Sequence, residues 1–177
     1  MTDAAPVDPL ILSLHLDAES FARFDALRKR HFPPALNKIP AHVTVFHHLP
    51  GKAEAEIAHE LRSACAGTPV LPVRVTGLKS MGRGVAYQLA SSELSALRAR
   101  LAARWAPWLN RQDQQAWRPH VTVQNKVEPE QARALLEHLS RGFQPYDVRA
   151  EGLLLWRYRG GPWEAAGAFP FSAPSAP

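Results

Sequence analysis

The segment AHVTVFHH (residues 41–48) shares four consecutive residues with PHVTVQNK (residues 119–126). A tetrapeptide that recurs once is a weak sign of a repeat, so the elements around each copy have to decide whether it is one. Both copies follow a loop and lie just behind a proline, Pro40 or Pro119. Both also take the third place in the predicted order of strands and helices. This agreement indicates an internal duplication.

Hydrophobic periodicity predicts strand, helix, strand, helix, strand in each half of the chain. In the first half these elements cover residues 9–17, 18–31, 41–49, 53–66 and 70–81. In the second half they cover 83–91, 92–105, 118–127, 129–142 and 146–160, and residues 162–171 can return as a hairpin. We therefore predict an α+β fold of two pseudo-symmetric lobes, with halves at roughly 8–81 and 83–171, in one domain over 1–172. Residues 173–177 are predicted to be a disordered tail.

The repeated motif places its polar residues on one side of each strand. Successive strand residues point to opposite faces, so His42 and Thr44 share one face. His120 and Thr122 share the equivalent face of the second copy, and the valines point the other way. If a pseudo-two-fold axis relates the lobes, both pairs face the same groove. The sequence thus predicts two imidazoles and two hydroxyls in a shared cleft.

These four groups suit chemistry at a phosphodiester. Histidine titrates near neutrality, so one imidazole can accept a proton from water while the other protonates the departing oxygen. The threonine hydroxyls can donate to the non-bridging oxygens. No metal is required for either step. One His-x-Thr on a strand is usually structural, but two copies at equivalent points of a duplicated unit favour a catalytic site.

The motifs IPAHVTVFHHLPG (39–51) and WRPHVTVQNKV (117–127) resemble those of the two-histidine (2H) phosphoesterase superfamily. More specifically they resemble its 2′-5′ RNA ligase-like or RNA 2′,3′-cyclic phosphodiesterase branch, and the order of elements extends the resemblance over nearly the whole chain. The resemblance implies a bilobal fold whose antiparallel-rich sheets line a central groove, with helices outside. It also implies hydrolysis of 2′,3′-cyclic or 2′-5′-linked phosphodiesters without a metal or cofactor, and reverse ligation at the same site.

The same resemblance assigns roles to the motif residues. His42 and His120 become the catalytic pair, and Thr44 and Thr122 become the phosphate binders. For the opening of a 2′,3′-cyclic phosphate to a 2′-phosphate, His120 is the base that activates water and His42 is the acid on the leaving O3′. The reverse assignment of acid and base stays open at this point.

Four neighbours of the motifs are candidates for substrate binding. Alternation places Phe46 on the face of the first motif histidine, where it can stack a base or pack the groove wall. Gln124 and Lys126 fall on the face of the second motif histidine. Arg118 and Lys126 can add positive charge near the phosphate, although Arg118 precedes the strand and can equally be solvated.

Aromatic, histidine and cysteine residues elsewhere give weaker signals. Trp156 and Tyr158 alternate with arginines at the end of the last long strand, a mixture that can stack a nucleobase or form an aromatic core face. His47 and His48 invite a metal site, but alternation points His47 away from the groove and no carboxylate has a supporting spacing, so no metal site is predicted. Cys65 is the only cysteine, which excludes an internal disulfide, and it is expected to fill the core.

Composition limits the partners and the location of the protein. The net charge of +5 and the pI of about 9.8 favour an anionic substrate, either RNA ends or a small cyclic nucleotide, although an arginine-rich proteome explains them equally well. No apolar run reaches the length of a membrane span, and the N-terminus lacks a signal-peptide pattern. We therefore expect a cytoplasmic monomer without membrane contact.

Three functions follow from these observations. The first is a metal-independent phosphodiesterase that acts on RNA ends or a small nucleotide. The second is a non-catalytic RNA- or nucleotide-binding module with the same groove, which the two intact motifs disfavour. The third is a zinc hydrolase that uses the clustered histidines, and sensitivity to chelators would expose it.

Overall fold

The computed structural model describes residues 7–177. Its four α-helices are α1 (Ala18–His31), α2 (Glu54–Ala66), α3 (Ser92–Arg104) and α4 (Pro129–Ser140). Its strands are β1 (Leu10–Leu16), β2 (Thr44–Leu49), β3 (Leu71–Ser80), β4 (Val85–Ala90), β5 (His120–Gln124), β6 (Tyr146–Arg157) and β7 (Glu164–Pro170). This order of elements is the predicted one. Among residues 7–177 no helix combines the length and the apolar character that crossing a membrane requires.

The helices α1, α3 and α4 begin where the sequence supplies a residue suited to a helix start, whereas α2 begins without a side-chain cap. At the start of α1, the Asp17 carboxylate accepts a hydrogen bond from the backbone N–H of Ser20 at 3.0 Å. At the start of α3, the Ser91 hydroxyl accepts one from the N–H of Leu94 at 3.2 Å. Pro129 opens α4, where its missing N–H costs no helical hydrogen bond. These caps explain why the helix starts lie within a residue of the predicted ones.

All seven strands join one antiparallel sheet. The strand order is β2-β1-β6-β3-β4-β5, and β7 pairs with β6. β6 connects the two halves: its residues 146–150 pair with β3, and residues 150–157 pair with β1. The α+β class and the antiparallel sheet are confirmed, but the lobes do not have a sheet each. The hydrogen-bonded ladder continues through β6 from one half of the chain into the other.

The helices cross between the halves. α1 follows β1 yet packs on β5, which lies at the opposite end of the strand order. α4 packs on β3 and β4, whereas α2 packs on β6 and β7. Because α1 bridges from β1 to β5, the sheet has to curl until its two end strands approach each other. A single cluster of buried apolar side chains lies between the sheet and the helices.

The two motif strands carry a β-bulge at the same point. The three residues from Thr44 to Phe46 of β2 lie opposite two consecutive residues of β1. The three residues from Thr122 to Gln124 of β5 likewise lie opposite two consecutive residues of β4, so each motif strand has one extra residue. A bulge breaks the alternation of side chains between the two faces. The residue four positions after each motif histidine therefore turns into the core, and Phe46 and Gln124 are only 0% and 2% exposed. The duplication thus extends from the tetrapeptide to the backbone.

The regular strands are shorter than predicted around the motifs. β2 begins at Thr44 and not at residue 41, so His42 lies on the segment that enters the strand. β5 ends at Gln124 and not at residue 127, and β6 ends at Arg157 and not at residue 160. Residues 173–177 contain no helix or strand, although the N–H of Ala173 donates to the carbonyl of Thr68. The disorder of this tail stays a prediction.

Candidate active site

Both motif histidines are held in the same orientation. His42 Nδ1 lies 2.8 Å from the carbonyl oxygen of Pro40, and His120 Nδ1 lies 2.8 Å from that of Arg118. A carbonyl oxygen can only accept, so Nδ1–H donates and the neutral ring keeps its lone pair on Nε2. Each ring is thus fixed as one tautomer by the carbonyl two residues upstream. Nε2 of each imidazole remains available for proton transfer.

Buried arginines from the other half of the chain hold the backbone of each motif. Arg28 on α1 donates from Nη1 to the carbonyl of Thr122 at 2.9 Å. Arg98 on α3 donates from Nε to the carbonyl of Val45 at 3.2 Å. β2 and β5 are the end strands of the sheet, so these carbonyls have no further strand to pair with. The two guanidinium groups therefore connect the end strands to helices of the opposite half.

The threonine of the first motif is held through its backbone as well. Trp117 Nε1 donates to the carbonyl of Thr44 at 2.9 Å. This contact ties the first motif to the segment that leads into the second. Because this bond and the bond to Thr122 engage the backbone, neither uses a threonine hydroxyl. Thr44 lines a cavity beside His120, whereas Thr122 lines neither of the two cavities that adjoin the motif histidines.

Burial makes both motif imidazoles hard to protonate in the free protein. It lowers the pKa of His42 to about 4, with smaller contributions from the positive charge of Arg28 and from His120 and His47. It also lowers the pKa of His120, and Lys79 and His47 add to that effect. In both cases the hydrogen bond to the upstream carbonyl opposes the shift. The free protein at neutral pH therefore carries two neutral imidazoles.

An apolar cavity of about 440 Å³ adjoins His42. Trp163 forms part of its wall, with its ring centroid 4.7 Å from that of His42 and 6.0 Å from that of Trp156. Trp156 is fixed by a hydrogen bond from Nε1 to the Ser13 hydroxyl at 2.8 Å. Phe21 and Ile39 also line the cavity. Its volume and its aromatic walls suit a flat, largely apolar ring such as a nucleobase.

A polar cavity of about 480 Å³ adjoins His120 and Thr44. Its lining includes the cations Lys79, Arg98 and Arg118, and a third imidazole, that of His47. His47 Nδ1 lies 2.9 Å from Oδ1 of Asp113, whose side chain is fully buried. The groove is therefore polar and cationic beside His120 and apolar beside His42.

A family model described as the 2′-5′ RNA ligase superfamily matches residues 16–162, which include both motifs and most of the sheet. The chain belongs to this superfamily. The predicted relationship to the two-histidine phosphoesterases is thereby confirmed. A search of curated protein sequences finds no significant match.

Several solved structures share the fold at low sequence identity. TT0787 of Thermus thermophilus is 14% identical with a TM-score of 0.63, over 93% of this chain and 98% of its own. E. coli LigT complexed with NADP+ is 17% identical with a TM-score of 0.57, over 94% and 99%. LigT complexed with 3′-AMP is 18% identical with a TM-score of 0.55, over 94% and 99%. The architecture of this chain is that of LigT and TT0787.

Two of the predicted substrate-binding residues are buried instead of facing the groove. Phe46 packs against Trp105 in the core with ring centroids 5.3 Å apart, and Arg98 lies 4.5 Å above its ring. Gln124 is buried as well, and its Oε1 has no hydrogen-bond partner within the described residues. Alternation failed at both positions because of the bulge, so neither side chain can contact a substrate in this conformation.

Of the other four predicted binding residues, two line a cavity and two do not. Trp156 lines the apolar cavity and Arg118 lines the polar one. Lys126 lies beyond the end of β5 with a φ of 62°, so it does not continue the strand face, and it lines neither cavity. Tyr158 follows the end of β6 and is 41% exposed, outside both cavities. Their strands end earlier than the alternation assumed.

Four groove residues were not predicted from the sequence. Trp163 reaches the groove through the turn between β6 and β7, and Lys79 through the far end of β3. His47 was placed on the opposite face because the bulge of β2 is not visible in the sequence. Asp113 lies 66 residues from His47 in a loop, so no spacing rule connects them. Among residues 7–177 no group of three or more His, Cys, Asp or Glu side chains is arranged to hold a metal ion.

Proposed function

We propose that this chain is a metal-independent phosphodiesterase that hydrolyses 2′,3′-cyclic phosphate ends of RNA, or 2′-5′ and cyclic nucleotide phosphodiesters. The observation that carries the proposal is the pair of imidazoles with matching Nδ1 anchors, each followed by a threonine two residues on. Superfamily membership supports ligase or phosphoesterase chemistry. The LigT complexes with 3′-AMP and ATP support a nucleotide ligand.

For a 2′,3′-cyclic phosphate the proposed step has a defined balance. His120 Nε2 takes a proton from water as the water oxygen forms a bond to phosphorus. The bond from phosphorus to O3′ breaks, and His42 Nε2–H gives its proton to O3′. The product is a 2′-phosphate, and the pair exchanges its protons with solvent to start again. The two imidazoles supply acid and base, so no metal enters the step.

The position of the apolar cavity supports this assignment of acid and base. The leaving oxygen belongs to the ribose, which carries the nucleobase. A base in the apolar cavity places that ribose beside His42, since the cavity adjoins this ring. In-line attack then brings water from the side of His120. His42 is therefore proposed as the acid and His120 as the base.

The pKa of His42 in the free protein disfavours this ring as the acid, because burial lowers it to about 4. Substrate changes this balance. A phosphodiester anion between the rings favours their charged forms and offsets the effect of burial. The position of the apolar cavity persists in the complex, whereas the pKa values of the free protein do not, so His42 remains the proposed acid.

The threonines are proposed to hold the phosphate. Their hydroxyls can donate to the two non-bridging oxygens, where negative charge grows in the transition state. Ligation of a 5′-hydroxyl to a cyclic phosphate would use the same groups in reverse, with the alcohol in the place of water. We further propose that the protein acts as a cytoplasmic monomer, in keeping with its single, buried, unpaired Cys65.

The test is hydrolysis of adenosine 2′,3′-cyclic monophosphate and of a cyclic-ended oligoribonucleotide in the presence of EDTA. We expect turnover by the wild type and a loss of about 10³-fold or more in His42→Ala and His120→Ala. Thr44→Val and Thr122→Val should each lose about tenfold to a hundredfold. His48→Gln is the matched control, since its exposed ring lines neither cavity.

Three results would contradict the proposal. Turnover that survives both histidine substitutions would remove the catalytic assignment. Inhibition by EDTA would point to a metal enzyme. Tight binding of nucleotides without any turnover would favour the non-catalytic binding module.

A further inference from the structure

The groove contains a third imidazole that the proposed reaction does not use. The His47 ring is fixed by Asp113, which accepts from its Nδ1–H at 2.9 Å. Asp113 also accepts from the backbone N–H groups of His47 at 2.9 Å and of His48 at 3.0 Å. The fixed tautomer leaves Nε2 of His47 for the groove, where the ring is 39% exposed. This ring is preorganised in the same manner as the two motif histidines.

The carboxylate is an anchor and not a competing anion. Its side chain is fully buried, and the N–H groups of His47 and His48 surround it. Burial works against the ionised form of Asp113, but these hydrogen bonds outweigh it and hold the pKa of the carboxyl below its usual value. Asp113 thus stays ionised, and its charge can balance an imidazolium whose Nε2–H donates to a bound phosphate.

Two unpaired cations complete the polar cavity. Lys79 and Arg118 line it together with His47, and neither forms a salt bridge with a carboxylate within residues 7–177. Arg98 is already occupied, since it donates to the backbone carbonyls of Val45 and Asp113. Unpaired cations beside an anchored imidazole form a site for a compact anion. A nucleobase would gain little there.

We propose that His47, Lys79 and Arg118 form a second phosphate site, so that the preferred substrate carries a further phosphate beside the reacting one. This inference rests on the proposed function and specifies its substrate class as oligonucleotide rather than nucleoside monophosphate. The reacting phosphate lies between the motif histidines and the nucleobase occupies the apolar cavity. The additional phosphate occupies the part of the polar cavity that His47, Lys79 and Arg118 line. That phosphate has two possible sources. One is the phosphate on O5′ of the nucleotide that carries the reacting phosphate. The other is a phosphate on the attacking side, carried by the strand whose 5′-oxygen takes the place of water.

Matched substrates test the proposal. Adenosine 2′,3′-cyclic monophosphate carries one phosphate, and its two-phosphate partner is a diadenosine with a 2′,3′-cyclic end, which carries a second phosphate on O5′. For the attacking side, 2′-5′ diadenosine without a 3′-phosphate is compared with the same dinucleotide carrying one. We expect wild-type kcat/KM to favour at least one two-phosphate substrate by about tenfold or more. His47→Gln should remove that preference, and His48→Gln should keep it. The two-phosphate substrate that loses its advantage identifies the source.

A binding measurement keeps this test separate from catalysis. Calorimetric titration compares adenosine 3′,5′-bisphosphate with 3′-AMP, neither of which has a bond that the proposed reaction breaks. Wild type should bind the bisphosphate about tenfold more tightly, and His47→Gln and Lys79→Gln should each reduce the difference. A thermal melt of each variant verifies folding, and Lys79→Gln replaces His47→Gln if the latter does not fold.

The outcomes separate the two proposals. The second phosphate site is overturned if His47→Gln lowers kcat/KM equally on one- and two-phosphate substrates. It is also overturned if the wild type binds both nucleotides equally tightly. Absence of turnover together with a bisphosphate preference that depends on His47 would overturn the phosphodiesterase and leave the second site standing.

Discussion

His42 and His120 are anchored alike, each with Nδ1 at 2.8 Å from a carbonyl two residues upstream, yet they border different surroundings. Beside His42 lie Trp156 and Trp163 and an apolar cavity. Beside His120 lie cations, amides and a third imidazole. The duplication kept the backbone, the bulge and the ring orientation, and only the neighbours diverged. The two ends of the groove therefore differ in the ligand they suit, a nucleobase beside His42 and a charged group beside His120.

The same contrast holds for the supports behind the motifs. Arg28 and Arg98 take equivalent roles, each reaching from the first helix of one half to the motif strand of the other. Their second contacts differ. Arg28 Nε donates to the Asn37 side chain at 2.8 Å, whereas Arg98 Nη2 donates to the carbonyl of Asp113 at 2.8 Å. Only the second arginine therefore supports the loop that anchors His47.

The largest expected effect separates the acid from the base. A p-nitrophenyl nucleotide diester has a leaving group that departs without a proton. His42→Asn should lose about 10³-fold on the cyclic phosphate but far less on the p-nitrophenyl diester, because only the acid is missing. His120→Asn should lose about 10³-fold on both, because the base is still needed. Steady-state kcat for the two substrates checks this, and the reversed pattern would exchange the two roles.

The next effect compares the two buried arginines. Arg28→Met and Arg98→Met each leave a backbone carbonyl of an end strand without its donor. We expect each to lower the free energy of unfolding by about 2–3 kcal/mol, since hydrogen bonds to charged groups are lost at buried sites. Urea unfolding followed by circular dichroism measures this.

Exposed arginines on the same helices provide matched controls. Arg30→Met on α1 and Arg100→Met on α3 should change the free energy of unfolding by less than about 0.5 kcal/mol. If Arg28→Met is as mild as Arg30→Met, the connection between α1 and Thr122 does not stabilise the fold. A loss of unfolding free energy at only one of the two buried positions would show that the two arginines do not stabilise the two halves equally.

The sequence predicted what depends on local patterns. Capping residues located the starts of α1, α3 and α4, and the repeat identified two histidines that the structure anchors alike. It failed where the backbone departs from regular geometry. Phe46, Gln124 and His47 were assigned to the wrong faces because the two bulges leave no mark in the sequence. In each case the alternation of side chains between the two faces was extended past the bulge, where one residue of the strand has no partner on the neighbouring strand.

Contacts between residues that are far apart in the sequence could not be predicted, for a different reason. Asp113 and His47 meet because the curled sheet brings the loop before β5 against β2, and that closeness follows from the whole fold. Trp163 reaches His42 in the same way, from the turn after β6. The shared sheet could not be foreseen either, since each half contains enough strands for a sheet of its own.

The apolar end of the groove gives a smaller expected effect. Trp163→Ala should raise KM for nucleoside cyclic phosphates by about tenfold, because stacking on an aromatic ring is lost. KM for a cyclic phosphate without a nucleobase, such as ethylene glycol cyclic phosphate, should stay within about twofold. Tyr158→Ala is the control, since this tyrosine is exposed and outside both cavities. Equal effects of Trp163→Ala on both substrates would mean that the ring positions His42 and does not bind the base.

The smallest effect is a displacement between two pH profiles. Turnover needs one proton on the histidine pair, and burial lowers the pKa of both rings in the free protein, that of His42 to about 4. The pH profile of kcat/KM reports the free protein, in which both pKa values are low. We therefore expect kcat/KM to begin its fall already at acid pH. Bound substrate is an anion and raises both pKa values, so the alkaline fall of kcat should lie at higher pH. Coincident profiles would mean that the substrate anion does not lie between the rings. Because Arg28 also contributes to the low pKa of His42, Arg28→Met should move both profiles to higher pH, whereas Arg30→Met should leave both in place.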